Sequence, residues 1–105
     1  MPFEQFTPRS FTSFSVRANA PAAPGIYGLS NAREWIFIGE TDNIQAALMQ
    51  DLQRKDSPLY QHSPTGFVFE ICEDSSRRSR HDQLVRKYAP VCNRLSAGNE
   101  IGGAA

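Results

Sequence analysis

The 105-residue sequence predicts an α+β fold: a small three-stranded antiparallel sheet flanked by helices, with an N-terminal arm. Three observations predict it. Strand-like and helix-like segments follow in the order strand, strand, helix, strand, helix. The first two strand-like runs are separated by a few turn residues only, which makes them a hairpin. The two helical segments are enough to cover such a sheet, and a chain of this length holds one modest core, burying roughly 60 to 65% of the surface it exposes unfolded.

In chain order, residues 1–23 are rich in Ser, Thr, Pro and Ala and read as an arm. Within it Phe11, Ser13 and Ser15 alternate with Thr12, Phe14 and Val16, the pattern of a short edge strand, and Pro21 and Pro24 forbid regular pairing just beyond. Gly25 to Leu29 and Glu34 to Gly39 read as paired strands around a turn at Ser30-Asn31-Ala32. Asp42 is placed to cap a first helix, with Gln45 reaching back; Ile44, Ala47, Leu48 and Leu52 then recur on one face up to about Arg54. The stretch 57–66 holds Pro58, Pro64 and Gly66 and reads as a loop. Phe67 to Cys72 has the β-branched and aromatic content of a third strand. Ser75 or Ser76 is suited to cap a final helix bearing Leu84, Val85 and Tyr88, which Ala89-Pro90 closes. The domain proper is expected over 24–95 and a flexible tail over 96–105. Trp35, Phe67, Phe69, Leu48 and Leu52 are expected in the core.

No apolar run approaches the roughly 18 residues of a membrane helix, and the first residues lack a signal-peptide pattern, so a cytoplasmic protein without a membrane partner is expected. Cys72 and Cys92 stand twenty positions apart with no metal-ligand spacing around either, which points away from zinc and from a disulfide framework. The 11 basic and 11 acidic side chains cancel, yet residues 77–94 carry 6 basic and 1 acidic. Arg77, Arg78, Arg80, Arg86, Lys87 and Arg94 thus form a local excess of positive charge that favours phosphate, with a solvated helix face as the plain alternative.

Gly25-Ile26-Tyr27 is followed by Phe37-Ile38-Gly39, then by Glu40-Thr41-Asp42-Asn43-Ile44, and the chain closes with Lys87-Tyr88-Ala89-Pro90-Val91-Cys92-Asn93. This series resembles the GIY-YIG nuclease family over residues 24–95. The resemblance implies a hairpin of the two named strands, a helix bearing an arginine, and a last helix bearing a glutamate. It also implies phosphodiester cleavage: a tyrosine as base, a divalent metal on the phosphate and a cation for the developing charge. Tyr27 keeps the place of the catalytic base, although a tyrosine acts so only if a neighbouring cation or metal lowers its ordinary pKa of about 10.

The other positions depart from the pattern. The second tyrosine falls on Phe37, the arginine on Ala47 and the glutamate on His81, while Asn93 is retained. The positions that shape the backbone survive better than those that carry chemistry. A hydrogen-bonded core tyrosine at Tyr27, a half-buried histidine at His81 and a chain-tying Asn93 are the ordinary alternatives to catalytic roles. His81 and Asp51 are the candidates for a metal, and Asp51 and Arg77 are the carboxylate and cation that would have to replace the missing groups.

The resulting expectation is a GIY-YIG-like domain that has lost nuclease catalysis and binds nucleic acid, DNA by preference, through Arg77, Arg78, Arg80, Arg86 and Lys87. No cofactor is expected, and Mg²⁺ or Mn²⁺ only if activity persists. Two other readings stay open: a divergent metal-dependent endonuclease, and a protein-interaction or assembly module.

Overall fold

The apolar runs that open at Gly25, Trp35 and Gly66 all become strands. The computed structural model describes residues 8–54 and 58–93. Its elements are β1 (Arg9–Ser10), α1 (Ser13–Asn19), β2 (Gly25–Ser30), β3 (Trp35–Thr41), α2 (Ile44–Gln53), a 3₁₀ turn (Pro58–His62), β4 (Gly66–Ile71) and α3 (Asp74–Tyr88). The sheet is antiparallel throughout, in the order β1-β4-β2-β3. It therefore has four strands where three were expected. The added one is the short β1, in register Arg9 to Phe67 and Ser10 to Gly66.

The edge strand expected over residues 11–16 is a helix instead. The Thr12 hydroxyl accepts from the Ser15 N–H and starts α1, and Val16, Phe11 and Ala20 pack into the core. One capping side chain has overridden a two-residue alternation. Phe14 is left 82% exposed by the same turn. The cap of α2 is Asn43, not Asp42: the Asn43 side chain accepts from the Ala46 N–H. Gln45 does not reach back but donates to the Ala20 carbonyl, tying α2 to α1. Neither Ser75 nor Ser76 caps α3, which begins two to three residues earlier, after Glu73, with no side-chain cap.

Two apolar layers cover the sheet. On one face Tyr27, Leu29, Ile36 and Phe67 join Val16 of α1 and Ile44 and Leu48 of α2. On the other, Ile26, Ile38 and Val68 meet Leu84 of α3, with Trp35, Val85 and Tyr88 packed alongside. Phe67 and Leu48 are fully buried, and Trp35, Phe69 and Leu52 partly so. A β-bulge opposite Leu29 and Ser30 lets the consecutive Ile36 and Phe37 face the same layer, which strict alternation forbids.

The segment after α3 changes face. Ala89 ends the helix in the left-handed conformation, at φ 47°, its N–H donating to the Val85 carbonyl. Pro90 is buried, and Cys92 joins the layer on the opposite face. The chain thus crosses the outer edge of β3. Among the described residues no helix is long and apolar enough to cross a membrane.

Candidate functional site

Tyr27 and Gly39 are direct partners across β2 and β3, and Leu29 pairs with Phe37 two residues along, so Tyr27, Phe37 and Gly39 share one face. Gly39 leaves room for both rings. A Cβ there would lie 2.8 Å from Phe37 Cε2 and 2.9 Å from the Tyr27 hydroxyl. Gly25 has a comparable role at the strand start, where a Cβ would strike the Glu70 carbonyl of β4. Two of the glycines in the recognised motifs are therefore demanded by packing.

The Tyr27 ring is buried, and its hydroxyl donates to Asp51 Oδ2 of α2 at 3.2 Å. Burial, then the Asp51 charge and hydrogen bond, push the Tyr27 pKa well above the usual phenol range. Burial likewise raises the Asp51 carboxyl above its ordinary value, against the Tyr27 hydrogen bond and the nearby Arg54, which lower it. Tyr60 lies close enough to feel the Asp51 charge and donates its own hydroxyl to the Leu52 carbonyl. Asp51 does stand beside Tyr27, as a relocated group would have to, but it acts on the tyrosine in the direction opposite to what a base requires.

Ala47 is half-buried and lines a shallow open groove of about 580 Å³ along α2, with Thr41, Asn43 and Gln50 among its other walls. Nothing in that set of side chains supplies a cation. His81 lies at the edge of β3, on the other side of the strand from the Tyr27 layer. Its Nε2 is 3.0 Å from the Ile38 carbonyl oxygen and its Nδ1 3.2 Å from Asp82 Oδ1. Asn93 reaches the same peptide from the closing segment: Oδ1 accepts from the Ile38 N–H at 2.6 Å and Nδ2 donates to the Ile38 carbonyl at 2.9 Å.

The arginines of α3 are placed differently from a simple basic face. Arg80 is only 14% exposed and grips Glu70 of β4 with two bonds, Nε to Oε2 at 2.6 Å and Nη2 to Oε1 at 2.7 Å. Arg77 is equally sheltered. It donates to the Thr41 carbonyl at 2.8 Å and to Asp42 at 2.9 Å, with Glu40 at 3.6 Å. Arg78 pairs with Glu40 at 2.9 Å but keeps most of its surface in water. Arg86 and Lys87 are exposed in the last turn, Lys87 with its ammonium 5.9 Å from the centre of the Tyr88 ring. Of the five cations expected to meet nucleic acid, Arg77 and Arg80 are thus internal struts; Arg94 lies outside the described residues.

Charge counting along the chain does not disclose Glu40 and Glu70 as the partners. Both are the register partners of Ile26 and so lie on the layer facing α3. A glutamate inside the apolar run Phe67 to Ile71 was the available signal, because a strand carboxylate buried on both sides calls for a cation.

At the position where the resemblance implies a carboxylate for a divalent cation the chain carries an imidazole, His81. Among the described residues no three His, Cys, Asp or Glu side chains gather into a group able to hold one. Cys72 and Cys92 are both free, and burial and Glu34 raise the Cys92 thiol.

No protein-family model matches the chain, and no curated protein matches it by sequence. Solved structures do match. The GIY-YIG N-terminal endonuclease domain of UvrC from Thermotoga maritima, bound to its catalytic magnesium, superposes with a TM-score of 0.61 at 20% identity, over 71% of this chain and 91% of that one. The chain has the GIY-YIG fold. An asparagine-to-alanine and a tyrosine-to-phenylalanine point mutant of the same domain, each bound to its catalytic divalent cation, match at the same TM-score with 20% and 21% identity, over 71% of this chain and 90% and 91% of theirs. In this GIY-YIG-like domain Tyr27, Phe37 and Asp51 lie on one face of the sheet, whereas His81 and Asn93 meet at the β3 edge.

Proposed function

We propose that this GIY-YIG-like domain binds nucleic acid and has lost nuclease catalysis. The side chains at the expected catalytic positions are engaged in holding the fold, and that observation carries the proposal. Tyr27 is a buried donor to Asp51. A methyl stands at the expected arginine, at Ala47, and an imidazole at the expected glutamate, at His81. Losing a cation that stabilises transferring phosphoryl charge costs about 10³ to 10⁵ in rate in GTPases, and the same electrostatics applies to any phosphodiester transition state.

Arg78, Arg86 and Lys87 remain exposed along α3 to meet phosphate, and basic side chains in a last helical turn also suit the helix dipole. The solved domains with this fold are described as endonuclease domains, which supports nucleic acid as the ligand class.

Two measurements on the intact chain test this. A labelled DNA oligonucleotide titrated at rising salt should bind with an affinity that falls on a log-log slope of about −0.9 per phosphate neutralised, so between −2 and −3 for three cations. Absence of binding at the lowest salt refutes the nucleic-acid role. Supercoiled plasmid incubated with Mg²⁺, Mn²⁺ or chelator should stay uncut; metal-dependent nicking that Tyr27→Phe abolishes refutes the loss of catalysis.

A further inference from the structure

The geometry points to a latch at the β3 edge: His81 and Asn93 clasp the Ile38 peptide, and this end of the former site takes no divalent cation. The inference deepens the function proposed above, on which it rests for placing His81 where a metal-binding carboxylate would stand.

A carbonyl oxygen only accepts. The His81 Nε2 that faces Ile38 O at 3.0 Å must therefore carry the proton, and a protonated ring nitrogen has no lone pair for a metal. The other nitrogen, Nδ1, faces Asp82 Oδ1 at 3.2 Å, outside the strand edge. The peptide and amide oxygens at this edge are occupied as well. Ile38 O receives both His81 and Asn93, which uses its two lone pairs, and Asn93 Oδ1 is held by the Ile38 N–H at 2.6 Å. Mg²⁺ needs oxygen ligands, with one or two carboxylates among them, and among the described residues only the half-exposed Asp82 brings a carboxylate to His81.

What the arrangement does supply is closure of a sheet edge. β3 is the outermost strand, and the Ile38 N–H and C=O point away from β2. An outer strand with free peptide groups is a template for foreign strands. The Asn93 side-chain amide mimics a partner peptide, donating and accepting at once, while His81 holds the same carbonyl from α3.

The test pairs metal binding with stability, on the full chain. Mn²⁺ alone, followed by water-proton relaxation, should behave as free ion up to millimolar concentration. His81→Ala should lower the thermal midpoint by about 5 °C, as expected for a bond worth near 1 kcal/mol in a domain of this size, and His81→Gln, whose amide can still donate to Ile38 O, should recover most of it. Mn²⁺ bound by the wild type and lost in His81→Ala overturns the inference, and so does a midpoint unmoved by His81→Ala. Mn²⁺ bound equally by both proteins sits elsewhere and leaves the latch supported. Oligonucleotide binding measured with chelator present judges the nucleic-acid role separately.

Discussion

At Tyr27 burial, and then donation to the Asp51 carboxylate, holds the hydroxyl proton more tightly than in water. Asp51 itself has a raised pKa, because burial outweighs the Tyr27 hydrogen bond and the nearby Arg54, which both lower it. Stability therefore depends on pH with a definite sign. The folded chain binds the Asp51 proton more tightly than the unfolded chain, so its contribution is complete below the ordinary carboxylate range and is lost as pH rises through the raised folded value. Urea unfolding from neutral pH downward should show stability gained by this group on acidification. Asp51→Asn, which keeps an acceptor for Tyr27 without a charge, should flatten that slope and be the more stable protein at neutral pH. Spacing along the chain places Asp51 one turn beyond Ala47 and makes it a candidate for the cleft, and the structure sets it beside Tyr27. Spacing does not reveal which way each shifts the other, since that follows from burial, a property of the packed state.

At the scale of the element, α3 combines two roles that its composition merges. Its inner side carries Leu84 into the core and sets Arg77 and Arg80 against the carboxylates of β3 and β4, while Arg78, Arg86 and Lys87 stay in water. The Arg80 to Glu70 pair is sheltered on both partners, so removing one leaves the other buried and uncompensated. Arg80→Ala should cost about 3 to 5 kcal/mol in urea unfolding, whereas replacing Arg80 and Glu70 together by leucine should cost much less. Legibility varied among the elements for physical reasons. β2, β3 and β4 were readable because two-sided burial gives dense apolar runs, and α2 because its apolar face repeats at helical spacing. Helix α1 was not: it has seven residues and a single fully buried side chain, Val16, and it depends on the Thr12 cap and on docking against α2. The cap Asn43 falls one position, and Glu73 two or three, from the residues composition favours.

Across the whole molecule, zero formal net charge is organised by pairing through the sheet, which is why counting basic residues overstates the phosphate-facing surface. The motif order along the sequence and the superposition at 20% identity agree on the fold, since glycines at close approaches and apolar strand residues are what the backbone path demands. The candidate site was legible only as departures from the pattern the sequence resembles; the contacts those positions make join distant segments. The clasp between Asn93 and Ile38 spans 55 residues, and closing so long a loop directly costs about 3.5 kcal/mol in chain entropy beyond a constant term. That cost falls once the sheet and α3 are docked, because only the few residues after Tyr88 then remain to be ordered. The clasp should accordingly form after the folding barrier has been crossed. In stopped-flow experiments Asn93→Ala should leave the refolding rate nearly unchanged and speed unfolding roughly 5- to 30-fold. The last contact to close would then be the first to govern how long the native state survives.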